Sequence, residues 1–107
     1  VSKSTLTKWQ LHRICYRVPL AIEKLGHAAD FIALDNPNAA EKWVNDLFDK
    51  TELLTSQPEM GRLVPELQKA NLRELIFGNY RVIYTISTEI RILTVRNCRQ
   101  ILTERDL

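Results

Sequence analysis

Apolar residues recur along this chain in two periods, and the change from one to the other divides it. Between residues 20 and 34, Ile22, Leu25, Ala29 and Ile32 follow at steps of three, four and three, which is one stripe of an amphipathic helix. Between residues 38 and 56 a stronger stripe runs through Ala40, Trp43, Val44, Leu47, Thr51 and Leu54. Lys42, Asn45, Asp46, Asp49 and Lys50 make the wet face of that second helix. From residue 72 onward valine, isoleucine and tyrosine crowd three short runs, 72–77, 80–86 and 90–96, as suits a pleated, half-buried surface. Along the middle run Tyr80, Val82, Tyr84 and Ile86 point one way, and Arg81, Ile83 and Thr85 the other. Both sides are apolar enough that alternation does not say which one the helices cover.

Punctuation supports these elements. A first strand over 14–18 ends at Pro19, which is well suited to open a helix because its missing N–H costs nothing there. Gly26 lies inside that helix, at a cost of about 1 kcal/mol relative to alanine. Asn36 and Pro37 are a good N-cap and first residue for the next helix, and so short a connection predicts an antiparallel hairpin. Pro58 and Gly61 mark a loop over 57–62; residues 63–71 read as irregular. Gly78-Asn79 suits a tight strand turn. Residues 1–13 read as an N-terminal arm with a possible short helix over 4–11, and 100–107 as a frayed strand or helical turn. The sum is a single α+β domain over 1–107, of order βααβββ. A helical hairpin packs on a small sheet that ends in a three-stranded antiparallel meander, leaving the opposite face or rim for function.

Charge adds a direction. The net charge is only +2, too small to prove a nucleic-acid partner. It is uneven, however. Residues 1–60 carry seven basic and eight acidic side chains, and residues 61–107 carry eight and five, so the positive excess lies in the half with the meander. Cys15 and Cys98, the only cysteines, lack disulfide-scaffold or zinc spacing and read as free thiols. With no apolar run of membrane-spanning length and no secretory leader pattern, a cytoplasmic protein is expected. His12 and His27 lie early in the chain with no second ligand at helical spacing, which argues against a metal site or a histidine-driven enzyme. Neither a nucleophile elbow nor a phosphate-cradling glycine loop is present, and no cofactor is implied.

Arginine remains. Arg73, Arg81, Arg91, Arg96 and Arg99 fall on or beside the three strands. Guanidiniums on neighbouring strands can converge on one anionic group, a nucleic-acid phosphate or a partner's carboxylate. They can equally serve only to keep a sheet surface soluble, the reading favoured for Arg91 beside its turn.

Taken in order, Asp35-Asn36-Pro37-Asn38-Ala39-Ala40 with Trp43, Pro58-Glu59-Met60-Gly61-Arg62, Arg73-Glu74-Leu75, Tyr80-Arg81-Val82-Ile83-Tyr84 and Ile92-Leu93-Thr94-Val95-Arg96 resemble the RelE/ParE superfamily of toxins from type II toxin–antitoxin systems. The resemblance spans roughly residues 15–99. It implies a bacterial toxin, of the kind associated with plasmid stabilisation, whose partner is a cognate antitoxin. RelE-like members are ribosome-dependent mRNA endonucleases; by that likeness Arg73, Arg81, Tyr84 and Arg99 would be catalytic, with ribosome and mRNA as partners. ParE-like members instead bind and inhibit DNA gyrase. No tyrosine or histidine follows Tyr84, and cleavage of RNA needs a proton-transfer group that arginine replaces poorly. The ParE-like reading is therefore expected, with no catalytic residues and with Arg73, Arg81, Arg96, Asn97 and Arg99 as the target-binding set. A non-toxic binding module of the same fold is the further alternative.

Overall fold

The structure, a computed structural model, describes residues 15–67 and 69–107. The expected arm and short helix, together with Ile14 of the first strand, lie outside the described residues. Strand β1 is Cys15–Arg17, followed by helices α1, Pro19–Asp35, and α2, Pro37–Glu52. Both helices start on a proline. Between them Asn36 acts twice. Its backbone N–H donates to the Ile32 carbonyl at 3.1 Å to close α1, and its side-chain oxygen accepts from the Ala39 N–H at 3.2 Å to open α2. One residue thus turns the chain. Helix α2 is shorter than its apolar stripe suggested, because a 3-10 turn over Leu53–Thr55 takes over its end. That tightening puts Leu54 at the centre of the core, fully buried.

Strands β2 (Arg62–Leu63), β3 (Leu72–Phe77), β4 (Tyr80–Ile86) and β5 (Ile90–Asn97) complete a five-stranded sheet of order β1-β5-β4-β3-β2. The meander β3–β4–β5 is antiparallel, with Gly78 at φ +61° in its first turn. β1 runs parallel to β5, with Cys15 opposite Ile90. The edge strand β2 lies in the stretch expected to be irregular. It has only two residues, too few for alternation to register. Between β4 and β5 the register shifts at Ile83/Tyr84, so β5 carries one residue more than its partner there.

The sheet buries both faces. Leu75, Val82, Tyr84, Ile90 and Ile92 pack with Leu25 and Leu47 under the helical hairpin. Trp43 of α2 reaches across to Phe77 and Tyr80, with ring centroids 6.0 and 5.2 Å away. On the other face Leu72 and Ile83 are sealed by Val64 and Leu67 of the β2–β3 connection and by Leu102 of the C-terminal tail. The face expected to stand open for function is therefore largely roofed by chain. The tail holds a 3-10 turn over Glu104–Asp106, closed by a Thr103–Asp106 capping box.

Gly26 sits mid-helix in α1, and a Cβ built there meets nothing within 4 Å. Gly26→Ala should raise stability by about 0.5–1 kcal/mol through lower chain entropy in the unfolded state. It should be read as a higher urea midpoint at unchanged slope; a lower midpoint would mean that this face of α1 is packed.

Candidate functional site

Two places gather chemistry: a charge network on the roofed face, and an open cavity where α1 meets the far end of β5.

The network centres on Arg81. Alternation along β4 aims it away from the helices, into the layer beneath the roof, where it is 5% exposed. Its Nε donates to Glu74 Oε1 at 2.7 Å. Its Nη2 donates to Glu66 Oε1 at 2.8 Å, and Nη1 donates to Glu66 Oε2 and to the Gln100 carbonyl. All three nitrogens are engaged. Glu74, fully buried, takes Arg62 Nε on its other oxygen at 2.6 Å, and Glu66 also accepts the Leu102 N–H at 2.9 Å. The buried pair Arg81 and Glu74 is thus matched by Glu66 and by Arg62 at the solvent edge, the condition under which buried charge is tolerated. The Arg81 contacts hold the Glu66 carboxyl down at about 2, against an ordinary 4.5, and the two carboxylates push the Arg81 guanidinium up.

Tyr84 and Arg73 work on the helix-facing side of the sheet. The Tyr84 hydroxyl donates to the Pro58 carbonyl at 2.7 Å and accepts from the Gly61 N–H at 2.9 Å, while Arg73 Nη1 donates to the Gly61 carbonyl at 2.7 Å. Burial pushes the Tyr84 phenol up. A Cβ on Gly61 would stand 2.5 Å from the Glu74 carbonyl oxygen and 2.6 Å from the Tyr84 hydroxyl, so only glycine lets these groups approach. This gives the Pro58-Glu59-Met60-Gly61-Arg62 stretch a physical cause.

The five arginines therefore do not converge. Arg73 and Arg81 lie on opposite faces, since Arg73 is opposite Tyr84 and Arg81 opposite Ile76. Arg96 is opposite Arg81 in register, but its guanidinium goes to Asp106, Nη1 to Oδ1 at 3.1 Å. Arg91 stacks on Tyr16 at the sheet edge and pairs loosely with Glu89. Arg99 is exposed, and its guanidinium has no partner among the described residues. Asn97 lies beside it, accepting the Arg99 N–H on Oδ1 at 2.9 Å.

Sequence reasoning missed the cavity. It is an open hollow of about 280 Å³, with Lys24 and His27 of α1 on one wall, Arg96 and Asn97 of β5 on the other, and Tyr80 and Gln100 beside them. Lys24 and His27 are one helical turn apart, a spacing that marks a shared face. Nothing local signals that β5 would supply the facing wall. Among the described residues no cluster of three or more His, Cys, Asp or Glu could hold a metal, and no helix is long and apolar enough to cross a membrane.

The family model for the ParE toxin of type II toxin–antitoxin systems, parDE, matches residues 12–102. Among solved structures, a chain of the chromosomal ParDE toxin–antitoxin system from P. aeruginosa is similar at a TM-score of 0.67 and 20% identity. The match covers 81% of this chain and 97% of that one, and at such identity it is a likeness of fold. No curated protein matches.

The network makes stability depend on acid. The folded-state value for Glu66 lies below its ordinary one, so its contribution is present above about pH 4.5 and is lost as pH falls toward 2. Glu66→Gln should cost about 1.5–3 kcal/mol at neutral pH and flatten the decline of stability between about pH 5 and pH 2. Urea melts across pH test this; an unchanged acid limb in the variant would show that another carboxylate dominates.

Proposed function

Because the chain belongs to the ParE toxin family of type II toxin–antitoxin systems, we propose that it acts by binding DNA gyrase and inhibiting it without chemistry of its own. A cognate antitoxin neutralises it. The observation that carries this reading is the state of Arg81. In a nuclease of this superfamily that arginine would face the phosphate, whereas here its three nitrogens are held by Glu66, Glu74 and the Gln100 carbonyl. A guanidinium committed in this way supports the fold and leaves little for a transition state. Tyr84 is likewise engaged with Pro58 and Gly61, which supports the same reading by occupying the other candidate for proton transfer.

In this reading the gyrase-binding surface is the end of β5 and the turn after it. Arg96, Asn97 and Arg99 present their groups there, with Arg99 the exposed cation. Arg73 and Arg81 act behind that surface, Arg73 by holding the Gly61 loop and Arg81 by holding the roof to which Gln100 and Leu102 belong. The antitoxin is a chain with apolar and acidic side chains, suited to Phe31 and Leu34 of α1, which stand 68% and 81% exposed, and to the positive C-terminal half.

A supercoiling assay with purified protein should show inhibition that Arg99→Glu weakens about tenfold, a loss of about 1.4 kcal/mol in binding, without change in the thermal midpoint. If cells expressing the chain stop growing while gyrase stays fully active, the gyrase reading fails. Codon-linked cuts on translated mRNA under the same expression would then make it a nuclease.

A further inference from the structure

The cavity between α1 and β5 has a chemical bias of its own. Its two amide side chains have their orientation set by backbone N–H groups, which can only donate. The Asn97 N–H donates to Gln100 Oε1 at 3.3 Å, and the Arg99 N–H donates to Asn97 Oδ1 at 2.9 Å. Both amide oxygens are therefore used locally, and both NH₂ groups are without a partner among the described residues. Around them stand further donors. Lys24 lines the wall and makes no ion pair among the described residues. Arg96 contributes a guanidinium whose Nη2 is without a partner among the described residues. The facing acid is Asp106, which takes Arg96 Nη1 at 3.1 Å and feels the attraction of Lys24 as well. One carboxylate thus meets two full positive charges and a set of unspent N–H groups.

Rings complete the wall. Tyr80 is held against Trp43 at 5.2 Å, and Phe31 projects at the rim, 68% exposed. Donors without acceptors call for an acceptor-rich anion, and a flat ring beside them calls for a planar group to stack.

From this we infer that the cavity binds a nucleotide phosphate monoester, with Lys24 and Arg96 on the phosphate and the base lying against Phe31 and Tyr80. The amide nitrogens of Asn97 and Gln100 donate to the phosphate or to acceptors of the base edge. The site shares Arg96 and Asn97 with the surface assigned to gyrase and Phe31 with that of the antitoxin, but it rests on the donor set and not on those readings. Its ligand is either a free nucleotide or the phosphorylated end of a nucleic-acid chain, which share this chemistry.

The test is a titration of the ¹⁵N-labelled protein followed by amide chemical shifts, with 5′-AMP, adenosine, inorganic phosphate and a 5′-phosphorylated dinucleotide as probes. AMP should shift the amides of Lys24, His27, Asn97 and Gln100 and saturate at a Kd on the order of 1 mM. Phosphate should shift the same amides more weakly, and adenosine should not saturate. Affinity for AMP should fall with added salt. Lys24→Glu should weaken AMP at least about tenfold. Phe31→Ala, at an exposed position that the fold does not need, should weaken AMP about fivefold and leave phosphate unchanged. Tighter binding of the dinucleotide would place the ligand at a chain end, and tighter binding of AMP would make it a free nucleotide. Shifts that are absent, that scatter over Arg99 and Arg105 instead of the cavity, or that persist in Lys24→Glu overturn the proposal.

Discussion

The carboxylates of Glu74 and Glu66 on the Arg81 guanidinium are the constraint on which the rest of this structure depends. A charge taken out of water is tolerated only with matched partners. Arg81 must leave water because alternation on β4 aims it beneath the roof, while Tyr80, Val82 and Tyr84 serve the helices. Glu74 comes from the neighbouring strand, and Glu66 from a connection with no regular structure of its own. By accepting both Arg81 and the Leu102 N–H, Glu66 fastens that connection and the C-terminal tail to the sheet at one point. Leu102, Val64 and Ile83 then close their small second core beneath the fastening. The charge network and the apolar seal need each other: dryness strengthens the ion pairs, and the ion pairs hold the seal in place.

Much of this was legible in the chain. The helical hairpin follows from two stripes of period 3.6 and from an asparagine–proline pair, whose joint action at one residue the hydrogen bonds of Asn36 display. The meander follows from alternation and a Gly-Asn turn, and the RelE/ParE resemblance rested on the order and spacing of short residue motifs; the elements appear in the expected order with β2 added. The missing parts share a cause. β2 is too short to have a period. Glu66 and Arg81 become partners only through the sheet, and an isolated glutamate in an irregular stretch gives no sign of it. Whether strand arginines converge or only solubilise the sheet was open from the sequence; Arg73 pairs with Tyr84 and Arg81 with Ile76 across the β3–β4 ladder, so these two face away from each other.

The same parity explains how so small a domain carries two unlike sites. The helix face of the sheet is sealed by aromatic and aliphatic packing, with Trp43, Phe77 and Tyr80 at one end and Tyr84 at the other. The roofed face is sealed by a small aliphatic cluster and by the charge network beside it. At the last residues of β5, Arg96 and Asn97, past the buried Val95, both seals end. The strand end there meets α1 across an open hollow, and unspent donors collect in it. Family membership accounts for the scaffold; the donor-rich hollow is a property of these side chains.

The parallel pairing of β1 with β5 sets an order on how the molecule can be completed. Cys15 lies opposite Ile90, so β1 finds its place only after the helices and the meander have been made. During synthesis, which proceeds at about 5–20 residues per second, the helical hairpin has its residues early but lacks the sheet it must cover. The network at Arg81 lacks the Gln100 carbonyl and the Leu102 N–H until those residues have been made. An unfinished chain is thus held back from its working shape by its own topology. Whatever the folded domain does must wait until the chain has been made through Leu102.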